Sequence, residues 1–277
     1  MFQFGEPRDD YKSFSAEKGG DALGLLIQSI RWYAVRASHL LYTWCLFTTI
    51  ESQEALELSK RPLPEDARFV LRRTLLNALV LELRALHDRD KNSLGSCQIG
   101  RRLANADTRL ELNAYLESNS TAMPDASLRQ TYLGYLGRYC QIMAPPSGAA
   151  TDPDHRLFKK MELVRRMANK GVAHSTLDHF SLYPSDFADC VVASITLACA
   201  MEACMGDFAV KNDLGTIERL GYQAAEHVLH VEFEPDLWVV KAIRKFLPRW
   251  ADEGGEFPQF PQDLLPKQYL AFPLRED

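Results

Sequence analysis

The residues best suited to chemistry in this chain gather in, and just before, the stretch from Glu162 to Ser175. Arg156, Lys159, Lys160, Arg165, Arg166 and Lys170 follow one another closely, Glu162 is the lone acid among them, and Asn169 and His174 stand at the end of the run. Arginine and lysine hold phosphate through charge-assisted hydrogen bonds, and imidazole is the side chain that exchanges protons near neutrality. Together they suit phosphate-ester chemistry. His174 would act as general acid or base on a ribose 2′-hydroxyl or a leaving 5′-oxygen, with cations stabilising the charge that develops on phosphorus. A purely structural reading uses the same residues. Gly171 is suited to end the basic helix, which makes His174 a capping or core histidine, the lysines a solvated face and Asn169 an ordinary choice near a helix end.

Other candidates are weaker. His227 and His230 sit three residues apart on one helix face, but their spacing matches neither zincin arrangement, so they read as a surface pair. His87 and Asp88 end a helix where a histidine suits the negative end of the dipole, a structural role. There is no phosphate-cradling glycine loop, no Gly-x-Ser-x-Gly elbow and no cysteine–histidine spacing that marks a nucleophile. No metal and no cofactor is expected.

The elements that must position these groups follow from the rest of the chain. Its 277 residues can bury a substantial core. The formal net charge of −5 excludes nucleic-acid binding by bulk charge, so an anion site has to be local to the basic run. The six cysteines are scattered without a Cys-x-x-Cys pair, which argues against a zinc ribbon or a disulfide framework. The first residues lack a basic start followed by an apolar stretch, so no secretory signal is read. Of the two most apolar stretches, Leu40 to Ile50 is too short to span a bilayer and Cys190 to Met205 carries Glu202. Both are expected to be core helices of a cytoplasmic protein with no membrane segment.

Periodicity places helices almost throughout. Leu23, Leu26, Ile27, Ile30, Tyr33, Ala34 and Ala37 repeat at three and four residues, and the stripe continues through Trp44 and Phe47. Pro62 and Pro64 interrupt it. A second long helix is predicted from about Glu65 to His87, with Phe69, Leu75, Leu76, Leu79, Leu83 and Leu86 on its apolar face. Shorter helices follow near 95–104, 107–118 and from Asp125, then the basic helix, the apolar helix from Pro184, one over about 215–231 and a last one opened by Glu234. No strand alternation is found. The fold class is all-α, divided into an N-terminal arm (1–20), a helical bundle (21–210), a C-terminal helical extension (211–252) and an irregular tail rich in proline and aromatics (253–277).

With the helices placed, the chain resembles the HEPN superfamily, and in particular its AbiU-like abortive-infection branch. One landmark is Glu82 to Arg89 followed by Lys91 to Leu94, similar to that branch's leucine, aspartate and serine-leucine helix start. The other is Asn169 to His174, similar to the HEPN signature of an arginine, a polar residue, several others and a histidine. The likeness spans roughly residues 22 to 206. It implies an up-and-down helical bundle and a metal-independent endoribonuclease of phage defence or a toxin–antitoxin system, working on RNA as a homodimer. Separately, the basic helix would offer a docking surface for an acidic antitoxin or another protein, and a non-catalytic module binding RNA, nucleotide or protein is the alternative. Where the signature has its arginine, this chain has Ala168. On a helix Arg165 shares a face with Ala168 and Asn169, whereas Arg166 lines up with Lys170. His174, Asn169 and Arg165 are therefore the expected catalytic residues, and Arg166 and Lys170 the expected phosphate contacts.

Overall fold

A computed structural model describes residues 22–59, 62–90, 93–119, 126–145, 156–169, 184–205 and 214–230. The last predicted helix and the tail lie outside these, as do the N-terminal arm, Lys170 and His174. The described residues form an all-α fold with no strand among them: α1 (Ala22–Ile50), α2 (Gln53–Leu58), α3 (Glu65–Leu86), α4 (Ser96–Leu103), α5 (Ala106–Asn119), α6 (Ala126–Met143), α7 (Arg156–Met167), α8 (Pro184–Met205) and α9 (Leu214–Leu229).

The long helix α1 is the axis of the bundle. Its apolar positions run around most of its circumference, so α3, α4, α8 and α9 can all pack on it. Tyr33, Leu40, Leu41, Trp44 and Phe47 are completely buried there. Each such side chain contributes about 1.5–3 kcal/mol by leaving water. Two ion pairs fix α3 antiparallel to α1: Arg36 with Glu82 at 2.8 Å and, towards the other end, Arg72 with Glu51 at 3.2 Å. Helix α9 lies close because Gly221 has no side chain; a Cβ there would meet the Cys45 Cβ at 2.8 Å and the Tyr42 carbonyl oxygen at 3.0 Å.

The boundaries follow local chemistry. Pro64 precedes α3, whose first turn carries Glu65 and Asp66 against the exposed N–H groups of the helix start. Ser52 caps α2 by accepting from the Ala55 N–H. The apolar face expected of α3 is buried from Leu75 onward, at Leu75, Leu79, Val80, Leu83 and Leu86. Phe69 departs from it at 61 % exposure, as does its neighbour Val70 at 62 %. Cys45, Cys97, Cys140 and Cys190 are buried free thiols, and burial pushes the Cys140 and Cys190 thiols far up, Cys190 to about 12. They are held neutral, as small apolar groups. No helix among the described residues is long and apolar enough to cross a membrane.

Candidate functional site

The end of α3 and the end of α7 run side by side in opposite directions. Arg84 of α3 donates from Nη1 to Asn169 Oδ1, and Arg89, just past α3, pairs through Nη2 with Glu162 Oε1. The Arg89 guanidinium also lies over the Phe158 ring, 5.4 Å from its centre.

Beneath this surface Arg165 serves as a tie. Its Nη1 donates to Glu162 Oε1 at 2.5 Å, and its Nη2 donates to the carbonyls of His87 at 3.1 Å and Met143 at 2.6 Å. One side chain thus joins α7 to the ends of α3 and α6. It is 9 % exposed, and burial first, then the nearby Arg89 charge, lower its pKa from the usual arginine value. Glu162 is shared by two guanidiniums and offsets part of that charge.

The carbonyl Arg165 holds belongs to a histidine with its own network. His87 is wholly buried, with Nδ1 2.8 Å from Ser96 Oγ and Nε2 2.7 Å from Ser194 Oγ. Ser194 spends its hydrogen on the Cys190 carbonyl at 2.6 Å. Its oxygen must therefore accept from His87 Nε2–H, which leaves Nδ1 to accept from the Ser96 hydroxyl. The Tyr33 ring meets the imidazole edge-on, and its hydroxyl donates to the Ser194 carbonyl at 3.3 Å. Burial, with a smaller contribution from Arg165, pushes the His87 pKa down to about 3. The expectation that this histidine complements the helix dipole is thus corrected. It is neutral, and it acts as a hydrogen-bonded pin through α1, α3, α4 and α8. Gly95 makes the pin possible, because a Cβ there would sit 2.5 Å from the Leu86 carbonyl oxygen, and only glycine lets Ser96 start α4 so close to the end of α3.

The basic run therefore divides. Arg165 is buried, Lys160 pairs with Asp189 of α8 at 2.7 Å, and Lys159 and Arg166 are exposed. Ala168 is buried at 3 % exposure, on the same side as Arg165, as the helix geometry implies. Asn169 is not on that side. The last turn widens into a π turn over 168–169, which delivers Asn169 to the surface beside Arg84. Arg84 and Arg89 were not singled out by sequence reasoning, since neither falls in the basic run. His227 and His230 are exposed, and among the described residues no group of three or more His, Cys, Asp and Glu side chains could hold a metal.

Comparison with protein-family models, curated proteins and solved structures finds no match for this chain.

Proposed function

We propose that this chain is a metal-independent endoribonuclease of the HEPN type, acting in phage defence or a toxin–antitoxin system. The observation that carries the reading is the meeting of Arg84 with Asn169 at the end of α7, a few residues before His174. It brings a guanidinium from another helix to the polar residue that the resemblance marks. In this reading His174 moves the proton, Asn169 and Arg84 orient and neutralise the reacting phosphate, and Arg166 and Lys170 hold the flanking backbone. Arg165, tied to Glu162 and two carbonyls, is a positioning residue. One histidine cannot stand on both sides of a phosphate, so the site is completed in a homodimer. The α1 stripe is spent inside the chain, and among the exposed apolar residues described Phe69, Val70 and Leu81 share α3, which we take as the surface for that contact.

The second reading is a non-catalytic helical module for RNA, nucleotide or a protein partner, including an acidic antitoxin. What favours it is Ala168, where the resemblance has arginine; an arginine substituted there would start from a buried position.

Arg84→Ala and Arg166→Ala, assayed for RNA cleavage and RNA affinity, separate the two. An electrostatic group lost at the reacting phosphate lowers turnover by about a hundredfold or more, whereas a lost backbone contact weakens binding and reduces its salt slope by about 1. The first pattern is expected for Arg84, the second for Arg166. Binding that depends on both arginines, with no cleavage by the unaltered protein, establishes the module.

A further inference from the structure

At the end of α4 opposite Ser96, a cleft of about 450 Å³ opens between α4, α5 and α6. That size is within the range of small-molecule sites. Its α6 wall is a stripe at helical spacing, Gln130, Gly134, Arg138 and Gln141, and Arg109 of α5 faces it across the end of α4 at Leu103 and Ala104. Among the described residues none of the lining side chains is acidic, in a chain whose net charge is −5.

The polar groups are held in place. Arg109 Nη1 donates to the carbonyls of Leu103 at 2.5 Å and Ala104 at 3.2 Å, which fixes the guanidinium plane. Gln130 Nε2 donates to the Arg109 carbonyl at 2.9 Å and Gln141 Nε2 to the Gly100 carbonyl at 3.2 Å. Both amides are thus anchored through nitrogen, with the amide oxygen as the remaining acceptor. Arg138 is exposed and without a partner among the described residues. Between these groups Gly134 leaves open space, since a Cβ added there meets nothing within 4 Å.

We propose that this cleft binds a small organic anion of up to mononucleotide size. Arg109 and Arg138 hold its phosphate or carboxylate, and the Gln130 and Gln141 amide oxygens accept from its hydroxyl or amino groups. Guanidinium forks suit both kinds of anion, so the two sources are separated by experiment.

The full chain is titrated calorimetrically with adenosine monophosphate, ribose 5-phosphate and citrate, with adenosine as the neutral control, at low and high salt. Saturable binding of a phosphate or the carboxylate probe is expected, weakening with salt, with adenosine inert. Arg138→Ala should weaken it by about tenfold, the scale of one lost charge-assisted contact. Gly134→Leu fills the opening and removes a mid-helix glycine, so it should abolish binding while the thermal midpoint stays level or rises. No saturation by any probe up to about 10 mM, a limit well beyond useful affinity, overturns the proposal. So does binding unchanged in both variants, or, in a parallel titration with a single-stranded RNA, binding confined to that RNA.

Discussion

Replacing His87 by glutamine should flatten the acid limb of the stability profile. In the unfolded chain this imidazole titrates near 6.5, and in the fold its pKa is about 3. Between those values the unfolded state carries more bound protons, so stability rises with pH across that window and falls as the solution is acidified. The contribution is complete above pH 6.5 and is lost progressively towards pH 3. From pH 7.5 to 4.5 the difference amounts to about 3 kcal/mol, an order-of-magnitude figure from two units at 1.36 kcal/mol each. His39, lowered by partial burial and then by Arg36, adds a slope of the same sign, and Glu82, raised by burial, one of the opposite sign. Both remain in the variant and cancel in the difference. At neutral pH His87→Gln costs about 1–3 kcal/mol, because the amide, on a longer and more flexible stem, does not hold the donor and acceptor in the geometry the imidazole gives the two serines. Urea unfolding of both proteins at half-unit pH steps measures the effect. Curves that converge towards acid agree with a buried neutral imidazole, and parallel curves refute it.

Gly95→Ala places a methyl 2.5 Å from the Leu86 carbonyl oxygen and should cost about 2–3 kcal/mol of unfolding free energy, read from the denaturation midpoint. Arg165→Ala leaves the carbonyls of His87 and Met143 without their donor and Glu162 with Arg89 alone, a loss of about 2–4 kcal/mol on the same assay. Arg165→Lys should recover little of it, since an ammonium cannot fork across three acceptors on three sides. Light scattering at micromolar concentration should report a dimer, and a monomer there would count against the two-copy site.

The helices were legible because their punctuation is local. Pro62 and Pro64 interrupt the pattern before α3, and the apolar stripe of α1 announces a helix buried on most sides. The exposed start of α3 was not legible, since Phe69 and Val70 continue the apolar pattern of residues that do find partners. The basic run read as one cationic feature because helical spacing shows which residues share a face but not which face is covered. Packing buried Arg165 and paired Lys160 with Asp189, which is near neither in sequence. Arg84 reaches Asn169 across a separation of 85 residues, and a single sequence carries no signal of that meeting. For His87 the structural role was legible but its charge was not: a helix end suggested a charged group, while burial, with Ser96 and Ser194 from two other helices as its partners, keeps it neutral.

Incubating the purified chain with RNA in EDTA and identifying the product ends tests the proposed activity most directly. Attack by the 2′-hydroxyl predicts 2′,3′-cyclic phosphate or 3′-phosphate and 5′-hydroxyl ends, formed without divalent metal and lost in His174→Ala. Cleavage that requires metal, or that persists undiminished in His174→Ala, contradicts the account.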